Sequence, residues 1–491
     1  MSPSQVKSKD VTVVGAARSG RAAARLLSGA GADVFLTEHG AATDGLEDAL
    51  DEAGVQYEFG GHTRRALEAD FFVVSPGVPS SASVVRQACR AGLAVYSEIE
   101  AASWFCEAPV VAITGTNGKT TTTSLTGHLF REPFQDTDRE VIVAGNIGYP
   151  FSDYVRQARP EDVVVVEVSS FQLDHVDTFR PRVATLLNVT PDHLDRYNDN
   201  FNEYAQSKFR LLENLDEGDA IVYNHDDDLV RGFVEQVAPR RGLDALAFSA
   251  RHEVERGIFL TGDEERIIFR IHGQEEPLML ADERAPSLRG QHNLQNTLAA
   301  AVSARIMEVR SDALRESLTT FEGVPHRLEL VRTTAAAAAG AAAESGSADA
   351  PPGGDGASGR SGGRGVRWVN DSKATNVNAV WYALESFEGP LILIAGGRDK
   401  GNDYSSLKPL VREKARAVIA LGESAGTVMR ELGEAAPESQ QVASMAEAAR
   451  AAQRLARDGD VVLLSPACSS FDMYENYEER GDTFRRLVLN L

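Results

Sequence analysis

The sequence predicts an α/β protein of about three domains, and three observations support this fold class. With 491 residues, the chain is too long for one hydrophobic core. Its composition, 43% hydrophobic and 25% charged residues, is that of an ordinary globular protein. Short runs of β-branched residues alternate with longer segments of helical pattern, which indicates mainly parallel sheets flanked by helices.

The strands are predicted from short apolar runs. The clearest of these runs are 11–14, 71–75, 110–113, 163–168, 183–187, 391–395, 418–421 and 461–464. Glycine-rich turns follow the runs that end at Val14, Ile113 and Ala395. Ligands of open α/β sheets usually bind beyond such strand ends, so these three turns are candidate binding sites.

Residues 333–365 differ in composition from the rest of the chain. Ala, Gly and Ser dominate this segment, which cannot bury enough apolar surface to offset the entropy of ordering. We therefore predict a disordered loop. The flanking segments HRLELV and VRWVN are predicted to pair as the two strands of a hairpin.

The charge, targeting and cysteine patterns argue against several classes of protein. A net charge of −22 disfavours nucleic acid or an anionic membrane surface as a partner. Residues 1–10 lack the apolar core of a signal peptide, and no apolar run approaches the roughly 20 residues that span a bilayer. Cys89, Cys106 and Cys468 have neither metal-ligand nor disulfide spacing. We expect a reduced, cytoplasmic, monomeric protein, whose acidity reflects either surface solvation or adaptation to high salt.

A phosphate-binding loop is predicted at residues 113–121, ITGTNGKTT, between an apolar strand and a helix. Glycines let the backbone fold around phosphates, and the helix N-terminus offers unpaired N–H groups and a positive dipole. Lys119 would reach the β- and γ-phosphates, and the Thr120 hydroxyl would bind Mg²⁺. The spacing departs from the usual P-loop pattern, since only Thr116 and Asn117 separate the two glycines. The alternative is a plain Gly/Asn turn ahead of a helix.

Two further polar side chains follow predicted strands of the same sheet. Glu167 ends the run VVVVEV, and a carboxylate at the C-terminal end of a core strand lies where Mg²⁺-ATP should bind. His193 lies in PDHLDRY, after the run VATLLNVT. Each residue has an ordinary alternative: Glu167 could be a capping or solvated acid, and His193 a hydrogen-bonded histidine without a ligand.

Lys208 lies on the apolar face of a predicted helix, FNEYAQSKFRLLENL. The apolar residues on this face are Phe201, Tyr204, Ala205, Leu211, Leu212 and Leu215. A lysine there either extends its ammonium group to water or is held buried. Burial lowers the pKa of a lysine, and a neutral amine can add CO₂ to form a carbamate, an oxygen ligand suited to Mg²⁺.

Five motifs, in this order along the chain, resemble the Mur ligase family: TGTNGKT, DHLDRY with the helix after it, HNLQN, NDSKATN and SPACSSFD. The resemblance covers about residues 11–481, apart from the Ala/Gly/Ser-rich loop. It implies a Rossmann-like UDP-sugar-binding domain at 1–106 and a central P-loop-type ATPase domain at 107–324. A Rossmann-like C-terminal domain at 325–491 would bind the amino acid.

The resemblance also implies the reaction and its cofactors. The enzyme would ligate D-glutamate to UDP-N-acetylmuramoyl-L-alanine in peptidoglycan synthesis, with ATP forming an acyl phosphate intermediate. Thr120 and Glu167 would bind a first Mg²⁺ ion. His193 and Lys208 would serve a second Mg²⁺ ion, with Lys208 carrying a CO₂-derived carbamate. The implied catalytic residues are Lys119, Glu167, His193 and Lys208.

Binding residues are implied in all three domains. Those for ATP are Gly115, Thr116, Asn117, Gly118, Lys119, Thr120, Thr121, Asn293, Asn296, Arg327 and Asp371. Those for the UDP-sugar are Arg18, Ser19, Glu38, Ser75 and Asn146. Those for D-glutamate are Thr375, Lys400, Ser470 and Tyr477. From the residues alone, Asn293 and Asn296 could equally cap a helix, and the Gly-Gly turn before Lys400 could simply end a strand.

The sequence leaves three further points open. Ala17 replaces the second glycine of a Rossmann loop, so NAD binding is not expected. Tyr477 stands where D-glutamate-adding members of the family commonly have Phe, which keeps an aromatic wall and adds a hydroxyl. The rival functions are a family ligase for another amino acid or for folate, and a UDP-sugar sensor without ligase activity. The retained phosphate loop and catalytic residues disfavour the sensor.

Overall fold

The computed structural model describes residues 1–135, 137–146, 149–262, 265–271, 273–334, 365–387, 389–399 and 401–491. Within these ranges the strands form three sheets. The chain divides into two compact units, Met1–Glu322 with the first two sheets and Gly323–Leu491 with the third. Lys400 and residues 335–364 of the predicted loop lie outside the described residues.

The first sheet has five parallel strands in the described part of the chain, in the order β3-β2-β1-β4-β5. The strands are β1 Asp10–Val14, β2 Asp33–Thr37, β3 Gln56–Glu58, β4 Phe71–Val74 and β5 Ala94–Ser97. The helices are α1 Pro3–Val6, α2 Arg18–Ser28, α3 Leu46–Glu52, α4 Ser83–Arg90 and α5 Glu98–Ser103. The strand order reverses between β1 and β4, so a ligand crevice is expected beyond their C-terminal ends.

The central sheet has nine strands among the described residues, in the order β14-β13-β12-β11-β10-β9-β6-β8-β7. The strands are β6 Val110–Thr114, β7 Val141–Gly145, β8 Val163–Glu167, β9 Val183–Leu186, β10 Ala220–Asn224, β11 Asp244–Ser249, β12 Gly257–Leu260, β13 Arg266–Ile271 and β14 Gln274–Leu280. All pairs among the strands β6 to β12 are parallel, whereas β13 pairs antiparallel with both β12 and β14. Because β6 lies between β8 and β9, the segments that follow these three strands meet at one edge of the sheet.

The helices of this central region pack on both the sheet and one another. They are α6 Lys119–Phe134, α7 Phe151–Tyr154, α8 Ser170–Leu173, α9 Phe201–Phe209, α10 Asp228–Arg241, α11 Gln291–Ile306 and α12 Ser311–Thr320. Helix α6 begins at Lys119, inside the segment predicted to bind phosphate, and packs against α11. The strand valines Val164, Val165 and Val166 are fully buried, which is the pattern of a parallel strand covered on both faces.

The third sheet has six strands in the described ranges, in the order β15-β16-β20-β17-β18-β19. The strands are β15 Glu329–Thr334, β16 Val366–Asn370, β17 Leu391–Ala395, β18 Ala415–Ala420, β19 Glu438–Gln441 and β20 Val461–Leu464. The helices are α13 Val377–Glu385, α14 Lys408–Lys414, α15 Ala425–Leu432, α16 Met445–Leu455 and α17 Tyr477–Leu489. All pairs are parallel except β15 with β16, which confirms the predicted hairpin.

The predicted loop at 333–365 begins too early. Thr333 and Thr334 belong to β15 and pair with Arg367 and Val366 of β16. Both threonines are β-branched and continue the strand alternation, so hairpin pairing extends two residues into the segment assigned to the loop.

The α/β class and the three-domain architecture are confirmed. The predicted strands match observed strands to within a few residues at either end. The domain boundaries at residues 106 and 324 stay predictions. No helix among the described residues is long and apolar enough to cross a membrane.

Candidate active site

The phosphate loop folds tightly onto the N-terminus of α6. Gly118 precedes the helix with φ +83°, a conformation that favours glycine, and a Cβ there would lie 2.3 Å from the Asn296 Oδ1 atom. The Lys119 ammonium donates to the carbonyl oxygens of Gly115 at 2.9 Å and Thr116 at 2.8 Å. The loop therefore curls around its own lysine at the positive end of the helix dipole, as a phosphate-binding loop requires.

Side chains beyond β9 and on α9 hold this loop in place. The Thr116 hydroxyl lies 2.9 Å from the Tyr204 hydroxyl and 3.0 Å from the Thr190 carbonyl oxygen. The Asn117 backbone N–H donates to Asn188 Oδ1 at 2.8 Å, and Asn188 Nδ2 returns a bond to the Asn117 carbonyl at 3.1 Å. These contacts fix the loop before any ligand binds, which reduces the ordering entropy that binding must offset.

Glu167 connects the phosphate loop to the segment after β7. Its carboxylate is buried and accepts from the Thr120 hydroxyl at 2.8 Å and from Asn146 Nδ2 at 3.0 Å. The Asn146 backbone N–H also donates to the Glu167 carbonyl oxygen at 2.9 Å. The structure thus brings together a hydroxyl and a carboxylate predicted to bind Mg²⁺, and an amide predicted to contact the sugar substrate.

Lys208 is held inside the protein rather than extended to water. Its side chain is only 2% exposed, and its amine donates to the Gly115 carbonyl oxygen at 2.9 Å. The amine also lies 4.6 Å from the centre of the Tyr204 ring. Burial, and then the charge of Lys119, hold the pKa of Lys208 well below its usual range. Of the two alternatives for this lysine, the structure shows the buried one.

His193 lies at the mouth of the same region. Its backbone has φ +52°, and its ring meets Phe171 edge-on with centroids 5.1 Å apart. The His193 side chain is 49% exposed, and its partial desolvation lowers its pKa; Asp192 opposes this shift, and the charges of Lys119 and Lys208 add to it. A neutral imidazole is the form that binds metals.

The donor set near Glu167 is poor in carboxylates. Within the described ranges, no group of three or more His, Cys, Asp or Glu side chains could hold a metal ion. Mg²⁺ is commonly bound by one or two carboxylates together with water and substrate phosphates. A single carboxylate beside the Thr120 hydroxyl and a phosphate loop fits that pattern, and does not fit a dedicated all-protein metal cage.

Asn293 and Asn296 do not cap helix α11, which begins after Gly290. Asn293 Nδ2 donates to the carbonyl oxygens of Ser287 at 3.2 Å and Arg289 at 3.1 Å. Its Oδ1 accepts from Asn296 Nδ2 at 3.2 Å. Both side chains are buried; Asn293 attaches the start of α11 to the preceding turn, and Asn296 Oδ1 accepts from the Thr122 hydroxyl of α6 at 3.2 Å. Their predicted contact with adenine stays a prediction.

The loop after β1 is compact because two glycines allow a close approach. Gly15 has φ +98°, and a Cβ on Gly20 would lie 1.8 Å from the Gly15 carbonyl oxygen. The Glu38 carboxylate accepts from the backbone N–H groups of Ala16 at 2.7 Å and Gly40 at 2.9 Å. Burial would raise the pKa of Glu38, but these N–H donors outweigh it and lower the pKa.

Of the other residues predicted for the UDP-sugar, Arg18, Ser19 and Ser75 lie around the same crevice. Arg18 and Ser19 form the first turn of α2, and Ser75 follows β4 with its N–H donating to Val14 at 3.0 Å. Asn146 lies instead at the end of β7, bonded to Glu167. The strand-order reversal therefore places Ser75 beside the loop after β1, while Asn146 belongs to the central sheet.

In the second compact unit, Arg327 and Asp371 are brought together. Asp371 is buried, and its carboxyl group accepts from the Ser465 hydroxyl at 2.8 Å and the Leu328 N–H at 3.2 Å. Burial raises the pKa of Asp371 to about 7, against the opposing effects of Ser465 and Arg327.

The loops predicted to hold D-glutamate meet at the ends of β17 and β20. Gly397 has φ +141°, and a Cβ there would lie 2.3 Å from the Ser469 carbonyl oxygen. The Gly-Gly turn therefore does more than end a strand, since it lets these two loops touch. Ser470 is buried, and the Tyr477 ring lies 5.4 Å from the Lys373 ammonium.

Arg480 is the site residue that sequence reasoning missed. It is 2% exposed and donates to the Ser372 hydroxyl at 2.9 Å, the Ser372 carbonyl at 2.8 Å and the Cys468 carbonyl at 3.1 Å. Burial lowers the pKa of Arg480 to about 10. The arginine joins the NDSKATN and SPACSSFD loops. Its place three residues after Tyr477, on the same side of a helix, was the available signal.

Family models match all three parts of the chain. They are the MurD N-terminal domain at residues 10–84, the Mur ligase middle domain at 113–304, and the Mur ligase, glutamate ligase domain at 359–468. A protein of Salinibacter ruber, named UDP-N-acetylmuramoylalanine–D-glutamate ligase, is 61% identical over 493 residues and 100% of both chains. The chain belongs to the Mur ligase family.

A second relative and two solved structures extend this comparison. A protein of Chloroherpeton thalassium with the same name is 41% identical over 100% of both chains. Among solved structures, the UDP-N-acetylmuramate-alanine ligase MurC of Thermotoga maritima matches with a TM-score of 0.57 at 16% identity, covering 98% of this chain and 99% of that one. FolC of E. coli in complex with ADP matches with a TM-score of 0.54 at 16% identity, covering 80% of this chain and 92% of that one. At such identities the structural matches establish the shared fold alone.

Proposed function

We propose that this Mur ligase joins D-glutamate to UDP-N-acetylmuramoyl-L-alanine at the expense of ATP, in a cytoplasmic step of peptidoglycan synthesis. The observation that carries the chemistry is the convergence of a phosphate loop, the Glu167 carboxylate and the buried Lys208 amine at one sheet edge. The substrates are proposed from the full-length Salinibacter relative, whose name includes both the sugar nucleotide and D-glutamate.

ATP would bind with its phosphates on the loop before α6. The Lys119 ammonium already faces the loop carbonyls, and exchange of those contacts for phosphate oxygens needs only a rotation of its flexible side chain. Charge-assisted bonds to phosphate are stronger than bonds to neutral carbonyls, so the exchange is favourable.

Mg²⁺ would supply charge neutralisation at the phosphates. Thr120 and Glu167 fit a first ion, because a hydroxyl and a carboxylate oxygen already lie 2.8 Å apart beside the loop. His193 and Lys208 are the residues proposed for a second ion. The neutral Lys208 amine would attack CO₂ and release a proton to solvent, which leaves an anionic carbamate as the oxygen ligand.

The reaction would proceed in two transfers. A carboxylate oxygen of the L-alanyl group attacks the γ-phosphorus of ATP, ADP leaves, and an acyl phosphate forms. The D-glutamate amine then attacks the acyl carbon, inorganic phosphate leaves as the amide bond forms, and the amine proton is released to solvent. Lys119 would stabilise the negative charge on the transferring phosphoryl group, and the fixed loop would align it for attack.

D-Glutamate is proposed to bind in the second compact unit. Ser470 and Thr375 would donate hydroxyl hydrogen bonds to its carboxylates, and Lys400 would pair with one of them. Arg480 would act as a positioning residue, since it fixes the two loops that present these side chains.

Phosphate release with ATP, Mg²⁺ and UDP-N-acetylmuramoyl-L-alanine tests the proposal against a panel of D- and L-amino acids. Release with D-glutamate alone is the expected result. Release with another amino acid would support ligase activity but assign a different amino-acid specificity. Absence of release with every amino acid, at low and high KCl, would favour the UDP-sugar sensor and overturn the proposal.

Two lysine variants test the assignment of the chemistry. Lys119→Ala and Lys208→Ala should abolish turnover while leaving UDP-sugar binding intact, and the exposed Lys7→Ala should match the wild type. Because a carbamate forms from CO₂, depletion of bicarbonate should reduce the wild-type rate. Unchanged turnover in either active-site variant would contradict the mechanism.

A further inference from the structure

Arg196 connects the segment after β9 of the central sheet to the turn after β4 of the first sheet. Its Nη1 atom donates to the Pro76 carbonyl oxygen at 3.0 Å, and its Nη2 atom donates to the Gly77 carbonyl oxygen at 2.7 Å. These partners lie 120 and 119 residues away along the chain, so the contact joins two separately formed parts of the first compact unit. A planar guanidinium can hold two successive carbonyl groups in one fixed geometry.

On the side of the central sheet, Arg196 belongs to the same short turn as His193. The Arg196 backbone N–H donates to the His193 carbonyl oxygen at 3.0 Å. The guanidinium carbon lies 4.1 Å from the centre of the Phe171 ring, and the same ring meets the His193 imidazole edge-on with centroids 5.1 Å apart. A cation over an aromatic face is attracted to it, so the ring fixes the half-buried side chain on the side of His193.

On the side of the first sheet, the turn that Arg196 holds is packed directly on the loop after β1. The Val78 N–H donates to the Ser75 carbonyl oxygen at 2.9 Å and closes the turn. A Cβ on Gly15 would lie 2.9 Å from the Ser75 Cβ atom and 3.0 Å from the Val78 Cγ2 atom, so no space separates the turn from the loop. A displacement of the turn would therefore carry the crevice proposed for the sugar nucleotide with it, without changing the shape of that crevice.

We propose that Arg196 is a positioning residue that sets the distance between this crevice and the part of the central sheet that carries His193. The inference rests on the proposed function, in which one substrate spans both places. Its uridine end would lie at the first sheet, and its L-alanyl carboxylate must reach the γ-phosphorus at the central one. A misplacement of about 1 Å between reacting groups can lower a rate about a hundredfold. Arg196 would prevent such a misplacement through the Pro76 and Gly77 carbonyls, without a contact to the substrate.

Steady-state kinetics and calorimetry on the full chain test this role together. Arg196→Ala is expected to lower kcat/KM for UDP-N-acetylmuramoyl-L-alanine about tenfold or more, because the two ends of this substrate no longer meet their sites at the right distance. The Kd values for UDP alone and for ADP alone should stay within about twofold of the wild type, since each probe would occupy one side only. Arg196→Lys should recover only part of kcat/KM, because an ammonium group lacks the planar fork.

Arg241→Ala is the matched control, because Arg241 also joins two successive carbonyl groups. It ends α10 and donates to the carbonyl oxygens of Leu212 at 2.6 Å and Glu213 at 3.1 Å, all within the central region. Its loss should leave kcat/KM at the wild-type value. Circular dichroism checks folding, and Arg196→Lys carries the same two measurements if Arg196→Ala does not fold.

Two results would overturn the inference and leave the proposed function standing. One is a wild-type kcat/KM in Arg196→Ala, and the other is a loss of UDP and ADP affinity as large as the loss of kcat/KM. The second result would show a general disturbance of the fold rather than a change in distance. Failure of the wild type to bind UDP-N-acetylmuramoyl-L-alanine would overturn both the inference and the proposed function.

Discussion

Glu98 links the pH of the solution to the packing of the first domain on the central one. It begins α5, directly after the first sheet, and its side chain is fully buried. One carboxyl oxygen accepts from the Ser152 N–H of α7 at 2.7 Å. The other oxygen is buried and has no hydrogen-bond partner among the described residues, and the same is true of the nearby Gln172 Nε2. The group is therefore far better suited to its neutral form than to its charged one.

The magnitude of the effect follows from the pKa. Burial raises the pKa of Glu98 from its ordinary value of 4.5 to about 7, despite the opposing hydrogen bonds from Ser152. Such a difference in pKa between the folded and unfolded chain corresponds to a contribution of about 3 kcal/mol to the free energy of unfolding. Because the folded-state pKa is the higher one, this stability is fully present below pH 4.5 and is lost as the pH rises to about 7.

Urea unfolding at about pH 5 and about pH 8 measures the predicted loss. Trp104 lies at the end of α5 in the first unit. Replacing Trp368 and Trp381 by Phe leaves Trp104 as the sole tryptophan, so that its fluorescence reports on this unit. In this background Glu98→Gln cannot ionise, so its free energy of unfolding should decline less between the two pH values, by about 2.5 kcal/mol, since part of the effect is already lost at about pH 5. An unchanged decline in Glu98→Gln would refute the reasoning.

Glu100→Gln serves as the control, because Glu100 is buried on the same helix with a different environment. Its carboxylate accepts backbone N–H bonds from Asp177 at 3.0 Å, Thr178 at 3.0 Å and Phe179 at 2.8 Å. The amide removes acceptor capacity, so this variant should be less stable than the reference at both pH values. The pH-dependent loss of stability that Glu98 causes should still be measured in Glu100→Gln, because Glu98 is unchanged there.

Two further predictions concern packing. Gly20→Ala should lower the free energy of unfolding in urea by about 2 kcal/mol or more, because the added Cβ would lie 1.8 Å from the Gly15 carbonyl oxygen. Gly232→Ala is the control: this helical position is open, so the change should be neutral or stabilising in the same assay. Arg480→Ala should raise KM for D-glutamate about tenfold, because it removes the hydrogen bonds that hold Ser372. Arg480→Lys should bring KM only part of the way back to the wild-type value. A wild-type KM in Arg480→Ala would show that the loops are held without it.

The fold was predictable because its signals are local. Alternating apolar runs and helical segments predicted the strands, and the glycines at 115 and 118 predicted the loop before α6. The sequence could not decide whether Lys208 is buried or exposed, because helical spacing fixes the face on which a residue lies but not how deeply it is buried. The depth depends on Tyr204 and on the carbonyl of Gly115, which lies 93 residues away along the chain.

The residues that sequence reasoning missed act through contacts distant in the chain. Arg480 bonds to Ser372, 108 residues away, and the two loops that it joins come from separate strands. Glu98 meets Ser152 across 54 residues. Neither residue type suggests burial by itself, since arginine and glutamate are mostly exposed in folded proteins. Only the packing of one element on another shows that these side chains are enclosed.

Lys119 and Lys208 share one backbone carbonyl oxygen but lie in different environments. Lys119 and Lys208 each donate to the Gly115 carbonyl oxygen at 2.9 Å. Two ammonium groups this close repel one another, and loss of one proton relieves the repulsion. Lys208 is the more deeply buried of the two, so desolvation lowers its pKa and favours the neutral amine, whereas Lys119 lies half-buried at the helix N-terminus. In the proposed mechanism, this difference would assign Lys119 to the phosphates of ATP and Lys208 to the attack on CO₂.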